Sequence, residues 1–386
     1  MPGRREALKG LGSAALMLSL APGAAFAGGP ARGRAGSAPA WPLYRDTIAI
    51  DGAGGTGLLW FEDDAAATAA ELDAIRASGL TAAVLTIAPS GRFWLDDAAF
   101  EKTRATLAKW DAIVARHPAH LLAVRTAADL ERARRERRLG LIYTFQGTES
   151  LGEDADRIAL FRGLGVRVIQ LTHNRRNLVG DGCMEPGNAG LSNFGREVVA
   201  RLNAEKIVVD VAHGSARTMA EGIAASTAPP LISHTGCRAL ADLPRNTDDA
   251  TLRALAEKGG VAGIIFWPYL RTDTQPMAED VIRHIEHAID VCGEDHVGIG
   301  TDAGVAPVAR TPEFEKDNRE WVAGAVEDGV FERGRPPDLY TFIPDLNTAD
   351  RFDTLAMLLS KRGHSDARID KILGGNFARV MRDVWG

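Results

Sequence analysis

The chain has 386 residues, 45% of them hydrophobic and 25% charged, with 45 Lys and Arg against 51 Asp and Glu. That length and composition suit a globular protein with a large core, built as one large domain or two. The net charge of −6, with no long basic run or basic-aromatic array, excludes nucleic acid as the expected partner.

Residues 1–27 read as an export leader. A paired Arg4-Arg5, a modestly apolar stretch and an Ala25-Phe26-Ala27 site make a signal peptide of twin-arginine type, cleaved after Ala27. The expected location is therefore periplasmic or secreted. The leader is too short to span a membrane, and no other run of about 20 apolar residues follows. Residues 28–42 (GGPARGRAGSAPAWP) are expected to form a flexible mature N-terminus, which leaves 43–386 as a single domain.

From there, short apolar and β-branched runs alternate with amphipathic helical stretches. Strands are predicted at 47–51, 81–88, 139–145, 166–172, 207–212, 230–234, 261–266 and 296–301. Helical patterns at 64–79, 154–165, 193–206 and 248–260 open at Asp or Asn and close near Gly, as capped helices do. Residues 120–138 add a short strand and helix between the second and third units. Eight β-then-α units with strands apolar on both faces predict an α/β fold, a (β/α)8 TIM barrel with a parallel closed sheet. An open doubly wound sheet is the alternative, but no Gly-rich phosphate loop follows the first strand.

In such a barrel the chemistry sits at the carboxyl ends of the strands. The polar residues there are Gln146, His173, His213, His234 and Asp302, while Ala53 and Gly55 hold the corresponding place at the first strand. Three of nine histidines at strand ends, together with an Asp, point to a site. The other six, His117, His120, His284, His287, His296 and His364, fall mostly in helices and turns. Cys183, Cys237 and Cys292 form no C-x-x-C pair and read as buried small hydrophobes, with one disulfide as the alternative.

The stretches at 164–182 (LGVRVIQLTHNRRNLVGDG), 190–219 (ending VVDVAHGSARTM), 229–264 (opening PPLISHTGCRALADLPRNTDD), 295–302 (DHVGIGTD) and 372–385 (ILGGNFARVMRDVW) resemble, in order and spacing, the membrane (renal) dipeptidase family. This is peptidase family M19, metallopeptidases on a barrel of the metal-dependent hydrolase type. The resemblance implies a two-zinc site. A His-x-Asp pair on the first strand and a bridging Glu on the third hold the metals, and two further histidines complete the second site. By position, His213 and His234 match those two histidines, Asp302 the catalytic base and His173 the residue that steadies the tetrahedral intermediate. Arg245 matches the clamp on the substrate carboxylate. The departures fall in one corner: the His-x-Asp pair is Ala53-Gly54-Gly55, the bridging Glu is Gln146, and the usual acidic tail after Asp302 is Ala303-Gly304-Val305.

An amide oxygen is a poor zinc ligand beside carboxylate, imidazole or thiolate, and alanine and glycine offer no side-chain donor. The expectation is zero or one zinc per chain, at His213 and His234 with Asp302 swinging in, and no two-zinc centre. Without metal those two histidines would hydrogen-bond one another, Gln146 or a ligand. Asp302 and His173 are the candidate catalytic residues and a plausible acid-base pair; Arg245 and Gln146 are the candidate substrate contacts. The expected function is an exported dipeptidase-family hydrolase acting on dipeptides or small peptide-like amides. Two alternatives stand beside it: metal-independent proton transfer on a peptide-derived metabolite, and ligand binding without catalysis. The resemblance also implies a homodimer.

Overall fold

The computed structural model describes residues 40–55, 69–88, 98–327 and 330–386; the leader, residues 28–39 and the first turn of the predicted 64–79 helix lie outside the described residues. The strands are β1 (Ile50–Gly55), β2 (Ala82–Ala88), β3 (Leu121–Ala123), β4 (Leu139–Phe145), β5 (Val166–Gln170), β6 (Val208–Asp210), β7 (Leu231–Thr235), β8 (Val261–Ile264), β9 (Val297–Ile299) and β10 (Ala303–Gly304). The helices are α1 (Ala69–Ser78), α2 (Ala98–Arg116), α3 (Ala127–Glu136), α4 (Arg157–Gly163), α5 (Asn193–Ala204), α6 (Ala216–Ala225), α7 (Asp249–Glu257), α8 (Ala278–Cys292), α9 (Pro312–Glu327), α10 (Arg351–Lys361), α11 (Asp366–Asp370) and α12 (Asn376–Trp385).

The strands pair in parallel in the order β10-β1-β2-β4-β5-β6-β7-β8-β9. β9 and β10 are two halves of one interrupted strand. β9 pairs with β8 at Ile264 and Ile299, β10 pairs with β1 at Gly54 and Ala303, and the sheet closes on itself as an eight-stranded barrel. Closure rules out the open doubly wound sheet. Asp51 pins the seam from inside: its carboxylate accepts the Thr301 backbone N–H at 2.8 Å and the Thr301 hydroxyl at 2.5 Å. The extra unit at 120–138 is present as β3 and α3. β3 lies along the first half of β4, and β5 takes over that edge from Tyr143 onward.

Local chemistry explains the helix starts. Thr126 and Asp129 form a capping box on α3, and the side chains of Ser192, Ser215 and Asp248 accept the N3 backbone N–H of α5, α6 and α7, satisfying donors that the helix cannot. Ahead of β1, Trp41 is buried, donates its backbone N–H to Asp353 at 2.8 Å and its indole N–H to Asp366 at 3.0 Å.

Two apolar layers result. The larger lies between sheet and helices. The smaller fills the amino-terminal end of the barrel, where Val84, Ile142, Val168, Val208, Leu231 and Val261 meet Phe377 and Met381 of α12. Phe377 enters the barrel because two strands carry glycine opposite it. A Cβ at Gly52 or Gly298 would stand 2.4 Å from its ring. With that end plugged, the open carboxyl end is left for chemistry. Among the described residues, no helix is long and apolar enough to cross a membrane.

β1 begins three residues later than the pattern predicts and continues through Gly55. Ala53 and Gly55 therefore lie within the strand, not after it. There Gly54 and Gly55 pair with Ala303 and Gly304 of β10, and a Cβ at Gly54 would stand 2.6 Å from the Asp51 side chain. All three cysteines are unpaired, with Cys237 and Cys292 buried.

Candidate active site

Gln146, His173, His213, His234, Arg245 and Asp302 all gather at the carboxyl mouth of the barrel, each from the end of a strand or the loop beyond it. Asp302 sits at the break between β9 and β10. Its N–H donates to the Ala53 carbonyl at 2.6 Å, and the Val305 N–H donates to the Gly55 carbonyl at 2.8 Å. The β1 corner thus works through its backbone, tying down the strand that carries Asp302. Asp302 takes φ 56° and His213 φ 61°, a left-handed backbone that costs a non-glycine residue about 1 kcal/mol or more. Strain of this kind gathers where a side chain must be aimed at a site.

The two central histidines form a directed hydrogen-bond chain. The Asn174 amide oxygen is 2.7 Å from His213 Nδ1 and accepts the Cys183 thiol at 3.3 Å. His213 therefore carries its proton on Nδ1, leaving Nε2 as an acceptor. That Nε2 lies 2.8 Å from His234 Nε2, which must then be the donor. His234 Nδ1, left as an acceptor, lies 2.8 Å from the Ser233 hydroxyl. Burial, with the Arg245 guanidinium and His173 adding to it, holds both imidazoles well below their ordinary range, so both are neutral. Beneath them the Asp210 carboxylate accepts the backbone N–H groups of Ser233 and Ala212, each at 3.0 Å. His173 stacks on His213 with ring centroids 4.2 Å apart; burial and then Arg245 push its pKa down to about 4.

Asp302 Oδ2 stands 4.0 Å from His234 Nε2, and no hydrogen bond joins it to His173 among the described residues. The expected Asp302–His173 acid-base pair is not a direct contact; the imidazole nearest Asp302 is that of His234. Burial pushes the Asp302 carboxyl up to about 6, while Arg245 and a hydrogen bond from Gln146 pull it down. Gln146 is held from behind, its carbonyl accepting the Gln170 amide at 3.2 Å. Arg245 is only 3% exposed. It donates to the His234 carbonyl at 2.9 Å, lies 6.0 Å from the Tyr269 ring, and leaves its Nε buried without a partner.

Asn174, Ser233 and Asp210 orient the histidines, and sequence reasoning did not single them out as site residues. Their signal is visible in retrospect: polar residues flank both imidazoles, in His173-Asn174, Ser233-His234 and Asp210-Val211-Ala212-His213. A metal-ligating or hydrogen-bonded imidazole needs such partners to fix its tautomer.

The donor set does not fit the two-zinc centre that the resemblance implies. The β1 corner presents Ala53 and Gly55, and Gln146 spends its amide on Asp302. Among the described residues, no three His, Cys, Asp or Glu side chains are arranged to hold a metal ion. Two imidazole nitrogens on one tetrahedral zinc stand about 3.3 Å apart, given Zn–N bonds of about 2.0–2.1 Å. The His213–His234 pair, at 2.8 Å, is closed in a mutual hydrogen bond that one ion would have to open.

Known proteins share this architecture. The chain is 30% identical over 293 residues to dipeptidase verJ of Clonostachys rogersoniana, covering 75% of this chain and 67% of that one. An amidohydrolase from Pseudomonas aeruginosa superposes with a TM-score of 0.75 at 29% identity, covering 89% of this chain and 98% of that one. A metallo peptidase from Rhodobacter sphaeroides, liganded with a phosphinate mimic of the dipeptide L-Ala-D-Ala, shares the fold with a TM-score of 0.70 at 21% identity, covering 88% and 100%. The model of the membrane dipeptidase family, peptidase family M19, matches residues 40–316, and the chain belongs to that metal-dependent family.

Proposed function

We propose that the chain hydrolyses the amide bond of dipeptides or small peptide-like amides that end in a carboxylate, with at most one zinc. One observation carries the reading: Asp302, a carboxylate whose pKa burial lifts to about 6, converges with three neutral histidines and a buried arginine in a dipeptidase-family barrel. Arg245 suits a carboxylate, since a guanidinium binds one through two parallel hydrogen bonds. Asp302, ionised at neutral pH, takes a proton from water as its oxygen attacks the amide carbon. The neutral His173 donates a hydrogen bond to the oxygen that becomes negative. Protonated Asp302 then returns the proton to the departing nitrogen as the C–N bond breaks.

The magnitudes suggest a slow enzyme. Positioned proton transfer contributes about 10²–10⁴-fold and a single oxyanion donor about 10²–10³-fold, well short of what a two-metal centre adds by activating water. A single ion would draw on His213 and His234 and supply that activation.

The test is alanine release from L-Ala-L-Ala and L-Ala-D-Ala by wild type and Asp302→Asn, with zinc and with chelator. Turnover by wild type that Asp302→Asn abolishes supports the reading. No turnover of any dipeptide under either condition removes it. The mutual hydrogen bond of His213 and His234 favours a second reading, in which the same groups move protons without metal on a peptide-derived metabolite. That reading requires activity indifferent to chelator.

A further inference from the structure

The loop after β8 reads Phe266-Trp267-Pro268-Tyr269. Proline disfavours a helical backbone in the residue before it, and Trp267 is extended, at φ −114° and ψ 168°. The Phe266 N–H donates to the Thr301 carbonyl at 3.3 Å, which lays this loop beside the break between β9 and β10. There the Trp267 indole N–H finds the acceptor that a buried indole needs: it donates to the Asp302 carbonyl at 2.8 Å. The ring itself is held by other aromatics. It stacks on Tyr269 with centroids 6.0 Å apart and planes 8° apart, meets Trp321 edge-on at 6.1 Å and packs against Phe331 at 6.3 Å. Only 7% of Trp267 is exposed.

Asp302 needs such a hold. Its φ of 56° is one that a residue with a side chain keeps only where the surroundings over-determine it. The residues that follow are tied down: the Ala303 N–H donates to the Thr301 hydroxyl at 3.2 Å, and Arg351 donates to the carbonyls of Gly304 and Val305 at 2.9 and 3.2 Å. At Asp302 the N–H is held by the Ala53 carbonyl at 2.6 Å, and Trp267 holds the carbonyl on the other side of the Cα. With both peptide planes fixed, the Cα–Cβ bond has one direction, and the carboxylate stands 4.0 Å from His234 Nε2. With the carbonyl released, ψ can rotate, φ can relax out of the left-handed region, and the carboxylate swings away.

We propose that Trp267 is a positioning residue for the base: by holding the Asp302 carbonyl, its indole N–H aims the carboxylate into the site. This rests on the hydrolytic reading above and deepens it, because a base must stand within hydrogen-bond reach of the proton it takes. A misplacement of about 1 Å costs about a hundredfold in rate. The segment after α9 shares in the task, since Trp321 and Phe331 keep the indole in place.

Donor and packing can be separated. Phenylalanine keeps an aromatic ring without a donor. Histidine puts Nε2 where the indole nitrogen stands, because the two five-membered rings superpose, but it lacks the second ring and its packing. The test compares steady-state hydrolysis of L-Ala-L-Ala with thermal denaturation for the full chain as wild type, Trp267→Phe and Trp267→His. Trp267→Phe should lower kcat by about tenfold to a hundredfold with KM within about twofold, since Arg245 is untouched. Trp267→His should recover much of that loss while melting below Trp267→Phe. The benzothienyl analogue of tryptophan at position 267, with sulfur in place of the N–H and the same shape, should melt as wild type does and lose kcat as Trp267→Phe does. If Trp267→Phe or the analogue keeps kcat within about twofold of wild type, or if kcat simply follows melting temperature across the set, this inference is overturned and the hydrolytic reading stands. A wild type that turns over no dipeptide overturns that reading, and this inference with it.

Discussion

Asp302 offers a test that needs no substrate. Burial raises its pKa from 3.8 to about 6, so the folded chain binds this proton more tightly than the unfolded chain does. Linkage then fixes the sign: Asp302 lowers stability progressively as pH rises from about 4 to about 6, and its contribution is flat outside that window. A shift of about two units at 1.36 kcal/mol each is about 3 kcal/mol. Asparagine cannot titrate, so Asp302→Asn should escape the loss. The measurement is urea denaturation of chelator-treated wild type and Asp302→Asn between pH 4 and pH 7. The stability of the variant relative to wild type should climb by about 3 kcal/mol across that range, on top of any constant offset from the lost Gln146 contact. A difference constant to within about 1 kcal/mol would refute the claim that Asp302 is a desolvated carboxylate, and with it the account of a base tuned close to neutral pH. The kinetic counterpart follows from the same value: kcat/KM should rise about tenfold between pH 5 and pH 7 as the base ionises.

Arg245→Met removes the positive charge that lowers the Asp302 pKa, so the midpoint of the pH profile should move upward and dipeptide binding should weaken tenfold or more; an unmoved midpoint would separate Arg245 from the site. Phe377→Ala should cost about 3–5 kcal/mol in urea denaturation, because Gly52 and Gly298 leave room for that ring alone; a cost below about 1 kcal/mol would mean that the barrel is not plugged by it. Asp51, lifted to about 7 by burial against its Thr301 contacts, should erode stability from about pH 4 to pH 7, and Asp51→Asn should flatten that slope. Zinc offered to chelator-stripped protein and counted by plasma mass spectrometry should not exceed one per chain, and His213→Ala or His234→Ala should abolish any uptake; two per chain would overturn the reading of the β1 corner.

The barrel was legible because its strands are buried on both faces and read as unbroken apolar runs, such as 139–145, which matches β4 residue for residue. The interrupted eighth strand was not legible. Ala303-Gly304 carries no strand pattern, and its pairing with β1 depends on the turn at Asp302, which only the closed barrel imposes. The strand-end position of His213, His234 and Asp302 followed from their place in those runs. The mutual hydrogen bond of His213 and His234 was among the contacts expected of them, whereas the placing of Asp302 was not, because 4.0 Å to His234 rather than contact with His173 depends on how Asp302 is aimed by its left-handed backbone.

Charge explains how such a pocket can be stable with its β1 ligands absent. The three histidines are neutral, and the Asp302 carboxylate is offset by Arg245, so the centre is close to balanced on its own residues. Placing one divalent ion there adds two positive charges beside the Asp302 carboxylate, since Asp210 is committed to the backbone N–H groups beneath the histidines, and the Arg245 guanidinium already disfavours further positive charge on the imidazoles. Two ions would add four, with no carboxylate at Gly55 or Gln146 to meet them. Gly55→Asp and Gln146→Glu would relieve that charge but leave β1 without the neutral donor that Ala53→His supplies and leave His213 closed on His234, so zinc uptake should rise only when all three substitutions are present. In the absence of metal the same charges should repel Asp302 and push its pKa further up. If the two acidic substitutions alone bring zinc to two per chain, then charge rather than donor geometry limits the site, and the hydrogen bond between His213 and His234 is no obstacle to an ion.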